Sequence, residues 1–383
     1  MHSHKMRVLQ IHTFYDRYLN TFYNAHKELQ NKCYAEQNKT LFRNGFSAIH
    51  MISKYLPNCE AELIIANCIP MQKRWADEHN NISNNNAWSK NIEDEIVRQQ
   101  IEKFEPDILY LTDPIRFNGE FIKTLRSKPP LVIGWRCADT PFNIDWHGFD
   151  IMLSGLPRLL EFAIAAGTKK GIYFVPGMPE WISHEISSIK HDTDIVFAGS
   201  ISPTQHYRRL QFLDILVQAA SQGKFSLSLH LMCNPKHLPS SWKPFLLPPV
   251  FGIDMHKALR RGKIVFDVQG EIGIIKPDGS RGLDLANGDT MNMRLFEGTG
   301  GGSLVMTDAK PGLDKLFEPG QEIITFNDGN ELIEKATYYL KHELERKMIA
   351  ARGAKRCLTQ WSMTTRAKAF VNMVREQLCA DEA

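Results

Sequence analysis

The sequence contains no run of about 18 apolar residues, the length a membrane-crossing helix needs. Its first residues, MHSHKMRVLQIH, carry no apolar core of a secretory signal. It has no G-x-x-x-x-G-K-[ST], which excludes a P-loop NTPase. No G-x-G-x-x-G stands between a strand and a helix. The nearest run, Gly298-Thr299-Gly300-Gly301-Gly302-Ser303, ends in Ser and precedes a strand, which argues against a dinucleotide-dependent dehydrogenase. The seven cysteines are odd in number and scattered, without a C-x-x-C, so neither a disulfide framework nor a zinc site is expected. Buried free thiols in a reducing, cytoplasmic setting are expected instead. Charge is nearly balanced, with 46 Lys and Arg against 43 Asp and Glu, net +3. That is too mild for a nucleic-acid partner, but it suits a cleft for an anionic small molecule. A peripheral contact with a membrane surface stays open. The single D-x-D, Asp192-Thr193-Asp194, precedes a strand instead of following one, and reads as a connector and cap, so no metal site is expected.

Short apolar runs alternate with helical stretches along the whole chain. The runs in the first half begin at Arg7–His12, Ala61–Ala66, Ile108–Leu111, Leu131–Trp135, Ile151–Ser154 and Ile172–Val175. Between the first two lies a helix-like stretch reaching about Leu56. Residues 92–104 have helical apolar spacing with Pro106 beyond them, and Asn-rich residues 78–89 read as an exposed loop. The rhythm restarts at Asp194–Ser200, followed by a helix over about 208–220. Strands follow at 226–232, 264–267, 303–307 and 322–326. A helical tail over 330–378 breaks near Ser362. Such alternation predicts parallel sheets covered on both faces. The expected division is a first Rossmann-like domain over 1–178, a second over 179–363, and a final helix over 364–383 packing back on the first, with a hinge near 176–192.

The most informative stretch is 287–326, NGDTMNMRLFEGTGGGSLVMTDAKPGLDKLFEPGQEIITF. Glycines let backbone approach a ligand closely, and amide groups at a helix start favour anions such as a diphosphate. A carboxylate in this setting can accept two hydrogen bonds from a ribose diol, as in other nucleotide-binding folds. Glu297 is the candidate, with Arg294 and Gly300, Gly301 and Gly302 around it. The plain alternative is an i,i+3 pair of Glu297 with Arg294. Asp289 stands eight positions before Glu297, giving an acidic-x7-acidic pair.

The string Arg294-Leu295-Phe296-Glu297, then Gly300–Gly302 and Leu304-Val305-Met306-Thr307, resembles the C-terminal domain of GT-B glycosyltransferases of the group 1 type, and within them the CgeB-like subset. Gly312–Gly320, Glu331-Leu332, Tyr339-Leu340 and Arg346 agree with it, so the resemblance covers about 190–375. It implies two Rossmann-like domains whose parallel sheets face each other across a cleft. It also implies a UDP- or GDP-sugar co-substrate held by the second domain, and no required cofactor. In that family the second carboxylate of the acidic pair holds the ribose, which maps to Glu297. The first, usually Glu, maps to Asp289, one methylene shorter. Basic residues after the first strand of the second domain serve the diphosphate; here the matching region is Gly199 and Ser200 with Arg208, and Arg209 beside it. On a solvated helix face, these arginines would be plain surface.

The resemblance places a hydroxyl-bearing acceptor, a carbohydrate or another molecule, on the first domain. His12 follows the first strand, where parallel sheets open, and resembles the base of some inverting relatives. Asp139, near Pro141 after the Leu131–Trp135 strand, is the second catalytic candidate; Asp16, Asp113 and His147 are weaker. A retaining enzyme would need no such base. The competing functions are a non-catalytic nucleotide-sugar-binding module and a sugar-nucleotide epimerase.

Overall fold

A computed structural model describes residues 5–79, 88–203, 205–233 and 238–381. Residues 80–87 of the expected Asn-rich loop lie outside the described residues. The chain divides into two compact units. One comprises Met1–Phe174, Ile275–Gly279 and Ala367–Ala383; the other comprises Val175–Ile274 and Ser280–Arg366.

The first unit is built on β1 (Met6–His12), β2 (Cys59–Ile65), β3 (Ile108–Leu111), β4 (Leu131–Trp135), β6 (Ile151–Ser154) and β7 (Lys170–Tyr173). The order is β2-β1-β3-β4-β6-β7 and every pairing is parallel. A two-residue strand, β5 (Thr140–Pro141), lies outside this sheet. Helices α1 (Asp16–Ala25), α2 (Tyr34–Asn44), α3 (Ile69–Glu78), α4 (Lys90–Phe104), α5 (Gly119–Lys123) and α6 (Pro157–Ala165) connect the strands. All residues of β3 and β4 are buried, which is why these segments read as continuous apolar runs. Their core joins Leu9, Ile11, Leu109, Val132 and Met152 to Val97 and Ile101 of α4 and to Trp146.

The helix-like stretch expected up to Leu56 is broken. α2 stops at Gly45, whose φ of 77° turns the chain into the left-handed region. Short 3-10 turns at Ala48–His50 and Ile52–Tyr55 follow. The break carries Ser47 to the end of β1, where it matters below.

The second unit holds β8 (Thr193–Ser200), β9 (Leu227–Met232), β10 (Leu246–Leu247), β11 (Gly262–Asp267), β14 (Leu304–Asp308) and β15 (Ile324–Phe326), with short strands β12 (Gly273–Ile275) and β13 (Arg281–Asp284) outside its sheet. The order is β10-β9-β8-β11-β14-β15, again parallel throughout. Its helices are α7 (Glu180–Glu185), α8 (Tyr207–Ser221), α9 (Gly252–Arg261), α10 (Met293–Gly300), α11 (Leu313–Leu316), α12 (Gly329–Lys341) and α13 (Glu343–Gln360). Asp328 caps α12 by accepting from the amides of Asn330 and Glu331. The helical tail has a second break besides the one near Ser362: His342, at φ −99° and ψ 68°, leaves the helical region.

In both sheets the first strand has its successors on opposite sides, β2 and β3 around β1, β9 and β11 around β8. Ligands of open parallel sheets bind at the carboxyl ends of strands where the order reverses in this way.

The last helix, α14 (Met363–Asp381), enters the first unit from Ala367 onward. Phe370 is fully buried there, with its ring 5.2 Å from that of Tyr110 and 6.1 Å from that of Phe174. Replacing it by Ala is expected to cost about 3–5 kcal/mol, the usual range for a buried Phe. A urea unfolding series reads this out, and an unchanged midpoint would contradict the packing.

Candidate functional site

At the carboxyl ends of β8, β11 and β14 the second unit gathers an unusual amount of buried charge. β11 ends on Asp267 and β14 on Asp308, each 1% exposed. Arg209, in the first turn of α8, is buried and donates from Nε to Val268 O at 2.7 Å and from Nη1 to Ser200 O at 2.8 Å. It thus ties the end of β8 to the residue just beyond β11. Burial lowers its pKa to about 10, so it stays charged at neutral pH. Its neighbour Arg208 is half-exposed and places Nε 3.3 Å from Asp308 Oδ2, where Lys310 Nζ also stands at 3.5 Å.

α10 starts against this cluster. The turn before it is pinned by Gln269, whose Oε1 accepts from the Met291 amide at 2.6 Å and from Thr290 Oγ1 at 3.1 Å. Asn292 caps the helix by accepting from the Arg294 amide at 3.4 Å, and its Nδ2 donates to Asp267 Oδ1 at 2.5 Å. Arg294 Nη1 donates to Glu297 Oε2 at 2.6 Å, an i,i+3 pair with side chains only 13% and 11% exposed. Beneath the pair lies His256 of α9, buried, its pKa lowered to about 4 by burial, so it is neutral. Among the described residues, four buried atoms of this cluster have no hydrogen-bond partner: Asp267 Oδ2, His256 Nδ1, and Arg208 Nε and Asp308 Oδ2, which meet only as an ion pair. Buried polar atoms rarely go unpaired in a native protein, and their occurrence beside buried guanidinium groups marks this as the strongest candidate site.

The sequence-predicted residues divide as follows. Arg294 and Glu297 lie together in the first two turns of α10, and Gly199 and Ser200 end β8. Arg208 reaches Asp308. Asp289 sits on the turn before α10, where Asn287 and Gly288 have positive φ of 49° and 86°. Its carboxylate faces Gly312, with Oδ1 3.0 Å from where a Cβ on that glycine would stand.

Gly300, Gly301 and Gly302, the glycines expected around a ligand, lie elsewhere on α10 than that expectation implies. They form the C-terminal end of α10, not its start. A Cβ on Gly300 would stand 2.7 Å from Met178 Cγ and 3.2 Å from Cys357 Sγ, so this glycine serves close packing. Gly302, at φ +80°, sends its amide to Thr299 O at 2.9 Å while Ser303 sends its own to Gly298 O at 3.2 Å, a Schellman closure. A diphosphate there would meet the negative end of the helix. Arg209 likewise is no solvated surface residue.

Asp267, Asp308, His256, Asn292 and Lys310 escaped the sequence reading. The available signal was position: an Asp closing an apolar strand run, twice. The thiols are free, as expected, but only Cys68 and Cys357 are buried; Cys33 and Cys379 are exposed. Among the described residues, no group of three or more His, Cys, Asp or Glu is arranged to hold a metal ion.

In the first unit, His12 ends β1 and is buried. Its Nδ1 lies 2.6 Å from Thr112 Oγ1 and its Nε2 3.0 Å from Ser47 Oγ. Thr112 spends its own proton on Ile11 O at 3.0 Å, so its oxygen must accept from His12 Nδ1–H. Nε2 is therefore the nitrogen with the lone pair, and Ser47 donates to it. Burial, with the charge of His50 second, lowers the His12 pKa to about 3. Asp113 accepts from Thr13 Oγ1 at 2.7 Å. Asp139 is half-buried and is held by its backbone carbonyl, which accepts from Arg136 Nη2. A cavity of about 540 Å³ lies beside Arg7 of β1 and Glu60, Glu62 and Ile64 of β2, between Tyr34, Trp75 and Phe104, and includes none of the candidate residues.

Burial raises the Asp267 pKa to about 7, and Arg209 and then Arg294 only partly offset it. A carboxyl with a raised folded pKa contributes stability fully below its unfolded value, near 3.9, and loses it as pH rises through 7. Asp267→Asn is therefore expected to gain stability relative to the wild type between pH 5 and pH 8. Parallel thermal melts check this; equal differences at the two pH values would show that the carboxyl titrates normally.

Residues 208–372 match the family model described as glycosyl transferase-like. Searched against curated protein sequences, the chain has no match. Among solved structures it resembles HepE of Anabaena in complex with UDP and glucose, at TM-score 0.60 and 11% identity over 97% of this chain and 100% of that one. A glycosyltransferase from Rickettsia africae matches at TM-score 0.56 and 12% identity over 98% and 99% of the two chains. The sucrose-phosphate synthase of Thermosynechococcus elongatus matches at 0.53 and 10%, over 98% and 100%. With two six-stranded parallel sheets in the order described, the chain has the GT-B fold of these structures, and its residues 208–372 match the glycosyl transferase-like model.

Proposed function

We propose that the protein transfers a sugar from a nucleotide-sugar donor to a hydroxyl group of an acceptor, with the donor on the second unit and the acceptor on the first. The observation that carries this reading is the buried Arg294–Glu297 pair at the start of α10, set against the carboxyl ends of β8, β11 and β14. Glu297 is assigned to the ribose diol, for which its carboxylate would accept two hydrogen bonds. Arg294, Arg208 and the amide end of α10 are assigned to the diphosphate, with Gly199 and Ser200 leaving room at the end of β8. Asp289 is assigned to the sugar side. HepE was solved with UDP and with UDP-glucose, and a uridine nucleotide is the donor class taken first here.

On this reading catalysis rests on charge and position. As the glycosidic bond breaks, the anomeric carbon gains oxocarbenium character and the departing diphosphate gains negative charge, which fixed cations and helix amides stabilise without reorganising. The acceptor proton goes to His12 Nε2 if the configuration inverts, with Ser47 turning aside, or to the leaving phosphate if it is retained.

Glu297→Ala is expected to weaken UDP binding by roughly ten- to a hundredfold, the loss of charge-assisted hydrogen bonds. Calorimetric titration with UDP and with GDP measures it, and unchanged affinity for both would remove Glu297 from the site. Slow release of free sugar from the donor alone separates a transferase from a module that only binds, and a changed sugar still attached to its nucleotide would mark an epimerase. His12→Ala is expected to lower turnover by roughly 10²–10⁴-fold if His12 is the general base. Preserved turnover would assign proton removal to the leaving group.

A further inference from the structure

We propose that Asp267 is a positioning residue of the donor site, holding the first turn of α10 through Asn292. The inference rests on the reading of the second unit as the nucleotide-sugar site.

Asp267 is the last residue of β11 and touches α10 through one hydrogen bond, Asn292 Nδ2 to Oδ1 at 2.5 Å. Asn292 in turn caps the helix and so fixes the position of its amide end. The opposite oxygen of Asp267 is buried without a hydrogen-bond partner among the described residues. A neutral amide could receive Asn292 equally well, and burying a carboxyl costs far more than burying an amide. The acid therefore does something that the hydrogen bond alone does not explain.

The charged groups acting on it are Arg209 of α8 and Arg294 of α10, which favour its ionised form, and Asp308 of β14 and Glu297 of α10, which oppose it. His256 acts on Glu297 and Arg294 and is neutral. The balance leaves Asp267 shared between its two protonation states near neutral pH. Protonated, it keeps Asn292 in place and adds no negative charge under the amide end of α10. Ionised, it sets a negative charge where the donor's diphosphate is to lie. Binding of the anion and protonation of Asp267 thus favour each other, and such coupling is reciprocal.

UDP-glucose is the probe, because its diphosphate stays fully ionised between pH 6 and pH 8. Its affinity for the wild type is expected to fall roughly fivefold or more across that range. Asp267→Asn should bind with little pH dependence, and Asp267→Ala should bind weakly at both values. Hydrogen exchange of the α10 amides should quicken in Asp267→Ala and be restored in Asp267→Asn, which a merely packing role would not produce. An equal pH response in Asp267→Asn, or wild-type exchange and affinity in Asp267→Ala, overturns the proposal. Absence of any UDP-glucose or UDP binding by the wild type counts instead against the reading of the site.

Discussion

The chemistry of the second unit depends on one guanidinium that is almost wholly withdrawn from water. Arg209 joins the carbonyls of Ser200 and Val268 at the carboxyl ends of the paired neighbours β8 and β11, where the strand order reverses. Its ring neighbour Phe197, 5.5 Å away, shields it further. That fixed charge offsets Asp267, and Lys310 and Arg208 offset Asp308, so two carboxyls can end adjacent strands in the interior. One then anchors Asn292 and the start of α10, and the other holds Arg208 and Lys310. A Lys in place of Arg209 would keep the charge but could not span two carbonyls in one plane.

A glycine run is a weak witness to its own use. Four glycines within five residues after an Arg and a Glu suggest backbone laid against a ligand, yet Gly298 and Gly300 are spent on helix packing. A Cβ on Gly298 would come within 2.6 Å of Val305 Cγ2. The same close approach brings α10 onto β14 and α13, and so sets the depth at which Glu297 is held. The glycines serve the site from behind it. Which end of a helix faces a cavity depends on chain direction within the layered fold, and the local string of letters does not carry it.

The sheets were legible because their physics is local. Buried parallel strands such as Ile108–Leu111 and Leu131–Trp135 appear as apolar runs, and helices such as α4 show their period and their stops. Glu297 and Arg294 were legible because they are three residues apart on one helix. Asp267 and Asn292 are 25 positions apart, and Arg209 meets Val268 over 59. Such contacts arise only from strand order. The break after α2 was missed for a related reason: Gly45 and Ser47 both adopt positive φ, and only for Gly is that readable from the letter.

The end of β1 differs in kind from the strand ends around α10. The latter carry guanidinium groups and carboxyls at the foot of a helix's amide end, an environment that selects anions. The end of β1 carries a neutral imidazole between two hydroxyls, Thr112 and Ser47. A neutral imidazole with its Nδ1 proton committed leaves one lone pair, and that lone pair now faces a hydroxyl group. Ser47 occupies there the place of a generic alcohol, the functional group that an acceptor would bring. On the proposed reading, the amide end of α10 in one unit and an imidazole lone pair facing a hydroxyl in the other suit a reaction joining an activated, doubly negative donor to an uncharged alcohol.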